Sequence, residues 1–265
     1  MTYTDIKTER YERIFTITIN RPEKMNAVSP HTNAEMAAAF DEFARDDDLW
    51  VAILTGAGDQ AFCSGGDIDK MVDAETEDDY PIPPSGYGGI TNRHDCFKPV
   101  IAAVNGIAFG GGFEMVLAAD LAVAAEGVKL GLPEPKVGTA AVAGGMHRLI
   151  REVGRKAAME ILLTADPIKA DRALQLGLIN VVVPQPQVMA ASRALAERII
   201  ACAPIAIRAT KQCALNGLAH RSVEDAMAAQ DAGEFELLSS MFRSADIKEG
   251  LAAFLEKRRP QWRNR

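Results

Sequence analysis

Two glycine-rich turns, each set behind a short apolar run, constrain this chain more than any other feature. The first is Ala61-Phe62-Cys63-Ser64-Gly65-Gly66-Asp67-Ile68, downstream of the apolar run 50–55. The second is Phe109-Gly110-Gly111-Gly112-Phe113-Glu114, downstream of the run 100–104. Apolar runs of that length, bounded by turn residues, read as buried strands. Glycine lets the backbone take positive φ and lets a ligand approach the N–H groups closely. A helix that opens after such a turn directs its unpaired N–H groups and its dipole at the same point. Two such turns on parallel strands could aim two donors at one carbonyl oxygen, an oxyanion hole in which each donor is typically worth about 2.7–4 kcal/mol.

The rest of the chain is read around those turns. Residues 13–19 alternate β-branched and other side chains and predict a strand. A polar loop follows over 20–26, and Ser29-Pro30 places a cap and an N1 proline before a helix to about Arg45. Residues 56–66 read as loop throughout. Residues 73–89 are acidic, then rich in Pro and Gly, and are the predicted mobile segment. Asn105-Gly106 marks a turn, 107–109 resumes extended structure, a helix runs to Ala119, and 120–125 is a further strand. Strands alternating with helices predict an α/β fold with a mainly parallel sheet. After Gly145 the pattern turns helical, broken by a short strand over 180–183. From Gln187 onward it is almost all helix, with segments at 204–216, 223–241 and 244–258. The expected division is an α/β core over 1–200 and a helical C-terminal region over 201–265.

A hydrophobic fraction of 48% in 265 residues supports one sizeable core, or a core with a smaller helical appendage. The net charge, 29 − 36 = −7, argues against a nucleic-acid partner but leaves room for an anionic ligand held by local donors. The four cysteines form no Cys-x-x-Cys pair, which predicts reduced thiols in a cytoplasmic setting. Residues 1–20 have no apolar stretch of signal-peptide length and carry Asp5, Glu9 and Glu12, unlike a transit peptide. With no run of 18 apolar residues, no membrane span is expected. The histidines show no metal-ligand spacing, so no metal site is expected.

The acid–base candidates are two glutamates. Glu114 follows the second glycine turn directly, on the first turn of its helix. Glu134 sits between Pro133 and Pro135, which restrict its backbone. Two carboxylates beside a polarised carbonyl point to proton transfer and water activation. Neither a Gly-x-Ser-x-Gly elbow nor a Ser–His–Asp arrangement can be placed. Each feature alone has a plainer reading: glycine triplets pack, a first-turn glutamate complements a helix dipole, and Pro-Glu-Pro makes a rigid loop. Their occurrence together, in order, carries the functional reading. Gly56-Ala57-Gly58-Asp59-Gln60-Ala61 also matches a dinucleotide-binding hexapeptide, but that fingerprint needs a helix to open there, and the loop continues. Cys63 reads as a packing residue, His147 as a helix-surface or capping histidine, and Asp67 as a group that fixes its loop or caps the next helix.

Over nearly its whole length the chain resembles the crotonase superfamily, and within it the enoyl-CoA hydratases. The resemblance rests on Asn20-Arg21-Pro22-Glu23-Lys24-Met25-Asn26-Ala27, the Ser64–Asp67 turn, Lys98-Pro99-Val100-Ile101-Ala102-Ala103-Val104-Asn105-Gly106, Gly110-Gly111-Gly112-Phe113-Glu114, Leu132-Pro133-Glu134 and Ala252-Ala253-Phe254-Leu255-Glu256-Lys257-Arg258. It implies a ββα spiral core with a helical C-terminal trimerisation region, assembled as a trimer or a dimer of trimers. It implies hydration of 2-enoyl-CoA to 3-hydroxyacyl-CoA, with coenzyme A as part of the substrate and no tightly bound cofactor. The oxyanion-hole amides then fall on Gly66 and Gly111 and the catalytic pair on Glu114 and Glu134; related isomerases often keep only the second. Coenzyme A contacts fall on Lys24, Met25, Ala27, Ser64, Gly65, Asp67, Ile68, Phe254 and Lys257. Other reactions of the superfamily on an acyl-CoA remain open, among them isomerisation, carnitinyl-CoA-type dehydration and hydrolysis. Gly138-Thr139-Ala140-Ala141-Val142-Ala143-Gly144-Gly145 departs from the Gly-x-x-Pro-Gly-x-Gly-Gly of many relatives, and residues 80–89, which often line the acyl pocket in the family, are unusually rich in Pro and Gly.

Overall fold

The computed structural model describes residues 2–72 and 79–265. By backbone contacts the chain divides into two compact units, Met1–His94 with Val100–Ala194, and Asp95–Pro99 with Leu195–Arg265.

The first unit is built on two sheets. β1 (Ile6–Tyr11) and β2 (Ile14–Ile19) form an antiparallel hairpin, turned at Glu12, whose φ is 50°. Ser29 then starts α1 (Pro30–Arg45): its hydroxyl accepts from the Thr32 N–H while the Thr32 hydroxyl accepts from the Ser29 N–H. That reciprocal pair satisfies two helix-end donors. β3 (Val51–Gly56) runs parallel to β2 and is buried along its whole length. A strand covered on both faces needs an uninterrupted apolar run, which Val-Ala-Ile-Leu provides. The main sheet continues parallel through β5 (Val100–Val104), β7 (Leu121–Ala125) and β10 (Val181–Val183), giving the order β1-β2-β3-β5-β7-β10. Phe15 of β2 and Phe43 of α1 are both buried, with ring centroids 6.3 Å apart. Burying side chains of this size contributes about 1.5–3 kcal/mol each.

A second, smaller sheet was not expected from the sequence. It is formed by β4 (Ala61–Cys63), β6 (Ile107–Phe109), β8 (Lys129–Gly131) and β9 (Ile168–Lys169), in that order. β4 lies inside the interval 56–66 read as continuous loop. Its extended form is imposed from outside: two side-chain amides hold the chain around it. Asn105 Nδ2 donates to the Gly56 and Gly58 carbonyls at 2.9 and 2.7 Å. Asn26, fully buried at φ 55°, donates to the Ala57 and Ala61 carbonyls at 2.9 and 2.7 Å. Strand β4 occupies the stretch where a dinucleotide fingerprint would need a helix, so that reading is discarded. The remaining helices of this unit are α2 (Ile68–Val72), α3 (Gly111–Ala118), α4 (Gly145–Glu152), α5 (Arg155–Thr164) and α6 (Ala170–Leu176).

The division between the units falls inside α7 (Val188–Ile200). The second unit continues through α8 (Pro204–Gly217), α9 (Val223–Asp231), α10 (Glu236–Arg243) and α11 (Ala245–Leu255). The single helix expected over 223–241 is two, because Gly233 takes φ 82° and ends α9. Asp73 to Asp78, the acidic part of the segment expected to be mobile, lies outside the described residues. Of the rest, residues 79–85 are exposed or half-exposed, whereas Gly86 to Gly89 are buried and the Gly88 N–H donates to Asn33 Oδ1 at 2.7 Å.

Candidate active site

The small sheet brings the two glycine turns together. β4 pairs parallel with β6, so the turns that leave their C-terminal ends emerge side by side. Gly65, at φ 107°, lies so close to the second turn that a Cβ there would sit 3.1 Å from the Phe109 oxygen and 3.7 Å from the Gly111 nitrogen. The neighbours of Gly66 are spent on structure. Val28 N–H donates to Gly65 O at 2.9 Å and Asp67 N–H donates to Val28 O at 3.0 Å. The Gly66 N–H between them has no partner among the described residues. Neither has that of Gly111, the first residue of α3, where a helix leaves its leading N–H groups unpaired. Asp67 performs the structural role expected of it: its carboxylate pairs with the Arg21 guanidinium at 2.8 Å and its carbonyl accepts from Lys70 and Met71 at the start of α2.

Glu114 is 3 % exposed. It stands one turn into α3, and its Oε1 accepts the Gly145 N–H at 2.8 Å, at the first turn of α4. Burial pushes its carboxyl up to about 7, aided by the charge of Glu134 and opposed by the Gly145 and Ala143 amides. Glu134 opens the 3-10 turn Glu134–Val137. It is carried to the second glycine turn by β8, which runs parallel to β6 and whose Gly131 oxygen accepts the Gly110 N–H at 3.0 Å. A Cβ on Gly110 would lie 3.3 Å from Glu134 Oε1. Burial raises the Glu134 carboxyl as well, and its Oε2 is buried with no hydrogen-bond partner among the described residues. Two carboxyls held near two unpaired amides can move a proton next to a polarised carbonyl.

The segment 24–27 lies against the first turn: Ser64 N–H donates to Met25 O at 3.1 Å, and Ala27 N–H to Lys24 O at 3.0 Å. Met25 and Asn26 both have φ above 50°, an unusual pair of left-handed residues. Lys24 pairs with Asp69 at 2.8 Å, and Ile68 is 63 % exposed beside Asp67. Phe254, on α11, and Lys257, just beyond it, belong to the second unit; Phe254 is 82 % exposed. Cys63 is a packing group as expected, its thiol pushed up to about 12 by burial.

Three further residues stand at the site: Tyr80 and Tyr87, from the 80–89 stretch that the resemblance places near the acyl pocket, and Gly145. The Tyr87 ring packs against Gly111, where a Cβ would overlap it, and its hydroxyl is buried. Tyr80 donates its hydroxyl to Val28 O and accepts from Asp67 N–H at 3.2 Å, tying the first turn to the segment after α2. Gly145 could have been suspected only from Gly144-Gly145 opening a helix; its contact with Glu114, 31 residues away, is tertiary.

The enoyl-CoA hydratase/isomerase family matches residues 9–265. A carnitinyl-CoA dehydratase of Salmonella typhi is 39% identical over 252 residues, covering 95% of each chain. One of Citrobacter koseri is 39% identical over 256 residues, covering 97% of each. Among solved structures, an enoyl-CoA hydratase of Mycobacterium tuberculosis H37Rv superposes with a TM-score of 0.90 at 40% identity, covering 98% of this chain and 99% of that one. One of Bacillus anthracis gives 0.89 at 31% identity, covering 99% and 100%. The fold is of the crotonase type, and the chain belongs to the enoyl-CoA hydratase/isomerase family of the crotonase superfamily.

Proposed function

We propose that this chain is an acyl-CoA hydro-lyase that adds water across the double bond of 2-enoyl-CoA thioesters to give 3-hydroxyacyl-CoA. The observation that carries the reading is the convergence of two unpaired amides, from separate glycine turns, with two carboxyls of raised proton affinity. The thioester oxygen accepts from the Gly66 and Gly111 N–H groups, which favours the charge that builds on it as water attacks C3. Glu114 takes a proton from that water as the C3–O bond forms and the π pair moves toward C2 and the thioester oxygen. Glu134 delivers the proton that completes the C2–H bond. Elimination of water uses the same groups in reverse.

Coenzyme A contacts fall to Lys24, Met25, Ala27, Ser64, Gly65, Asp67 and Ile68, with Phe254 and Lys257 contributing from the C-terminal region. That region is taken as the assembly surface of a trimer or dimer of trimers; Phe242, Leu251, Phe254 and Leu255 expose large apolar area there. Among the described residues no helix is long and apolar enough to cross a membrane.

A second reading, dehydration of a carnitinyl-type thioester, is favoured by the names of the curated relatives at 39% identity. It uses the same carboxyl pair. The deciding experiment is a panel of enoyl-, 3-hydroxyacyl- and carnitinyl-CoA thioesters, followed by the change in enoyl absorbance and by product mass. Water addition to crotonyl-CoA and its longer homologues is expected. Double-bond migration or free acid as the main product would overturn the reading, and turnover of carnitinyl-CoA alone would transfer it to the second.

A further inference from the structure

Beside Glu114 the first unit holds a cavity of about 450 Å³, and its lining carries a charge pattern that the hydration chemistry does not use. Its inner wall is Ala143 and Gly144, the residues just before the amide that holds Glu114, together with Tyr87, whose ring packs on Gly111. Ile82 and Val142 add to a mainly apolar lining, and its charged or titratable members are His94, His147, Arg148 and Arg151. Among the described lining residues there is no carboxylate. Arg148 is fixed by a bond from its guanidinium to Thr91 O at 2.7 Å, and Arg151 reaches His147 O at 2.6 Å. Neither forms a salt bridge within 4.0 Å among the described residues. Glu114 and Glu152 lie near enough to act on the charge of Arg148, and neither lines the cavity.

The spacing is set by α4. Gly145 holds Glu114 at the start of the helix, and His147, Arg148 and Arg151 follow at positions that share one face. Arg151 lies six residues from Gly145, about 9 Å along the axis, and helical side chains lean back toward the N-terminus. Both guanidinium groups line the cavity, which the far end of a short acyl chain would enter if the thioester lies at Gly66 and Gly111. Guanidinium is the side chain best matched to a carboxylate, through paired N–H donors.

We infer that this cavity selects acyl-CoA thioesters whose distal end bears a carboxylate, that is, monothioesters of short dicarboxylic acids. The inference rests on the proposed placement of the thioester at Gly66 and Gly111. It runs against a carnitinyl group, whose quaternary ammonium would face two guanidinium groups.

The test is calorimetric binding of three saturated thioesters, which cannot turn over as enoyl substrates: glutaryl-CoA, valeryl-CoA and 4-trimethylammoniobutyryl-CoA. Glutaryl-CoA is expected to bind about two- to fivefold more tightly than valeryl-CoA, the range of a partly screened guanidinium–carboxylate pair, and the cationic thioester more weakly than either. In Arg151→Gln the glutaryl-to-valeryl ratio falls toward one, and in Arg151→Glu it inverts. Because each ratio is taken within one protein, a variant that folds poorly does not mimic the effect. Equal affinity for glutaryl- and valeryl-CoA, or preference for the cationic thioester, overturns the inference and leaves the hydratase reading standing. Failure to bind any of the three sinks the thioester reading and the inference with it.

Discussion

Glu114 and Glu134 reach the same site from two differently built regions. Glu114 stands on a helix, almost wholly buried, and its carboxyl is gripped by an amide at the start of α4. Glu134 stands in a turn between two prolines, half-buried, with one oxygen that bonds to nothing among the described residues. One carboxyl is positioned by tertiary hydrogen bonding, the other by covalent restriction of its backbone. The first pays for its fixation in solvation, and is the more strongly shifted of the two. Of the two, Glu114 therefore keeps its proton further toward neutral pH. Under the proposed mechanism, water elimination starts with a proton on Glu114 and hydration with a proton on Glu134.

Replacing either carboxyl by its amide is the most severe way to probe this asymmetry. Glu114→Gln and Glu134→Gln should each lower kcat for crotonyl-CoA hydration by about 10²–10⁴-fold, the usual worth of a positioned acid or base, with little change in thioester affinity. Steady-state rates and a separate binding titration check this. Near-normal turnover in either variant would reduce the site to one working carboxylate.

The next effect is on stability. A native carboxyl raised to about 7 holds its proton over a range where the unfolded chain, titrating near its ordinary value, has lost it. The native state is thus disfavoured progressively as pH rises from about 4.5 to 7, by up to about 3 kcal/mol. Glu114→Gln should be more stable than the parent at pH 8, and the gain should vanish below about pH 4.5. Glu134→Gln should show a smaller gain. Chemical denaturation at the two pH values measures both, and a larger gain for Glu134→Gln would invert the comparison.

The turns that flank the carboxyls also differ in tolerance. A Cβ on Gly112 would overlap the Cys63 backbone carbonyl, which cannot yield, so Gly112→Ala should cost about 1–3 kcal/mol. On Gly66 the obstacle is mainly the flexible end of Met71, and Gly66→Ala should cost less than about 1 kcal/mol. Thermal melts of the two variants give the contrast.

The last contrast is in the pH profile. If one shared proton is required, hydration should fall about tenfold per pH unit above about pH 7, as the pair loses it, and also at acid pH, as the pair gains a second. In what activity Glu114→Gln retains, the alkaline limb near 7 should be missing.

Much of the architecture follows from local chemistry. The cap of α1, the apolar strands β3 and β5, and the order glycine turn, Glu114, Pro-Glu134-Pro are written in contiguous residues, so the sequence predicts them. β4, β8 and β9 escape the sequence reading because strands of two or three residues have little periodicity to detect; β4 and β8 are held by pairing on either side of β6, and β9 by pairing with β8. The break between α9 and α10 was missed although Gly233 marks it, because the apolar spacing continues across it.

The sequence by itself determined which residues could do the chemistry: glycines that free two amides, and two glutamates with restricted backbones. Only the tertiary structure decided that these groups meet, that Gly145 holds Glu114, and that burial raises both carboxyls. Those outcomes depend on contacts between residues tens of positions apart, and neither desolvation nor a cross-chain hydrogen bond leaves a mark in the local order of side chains.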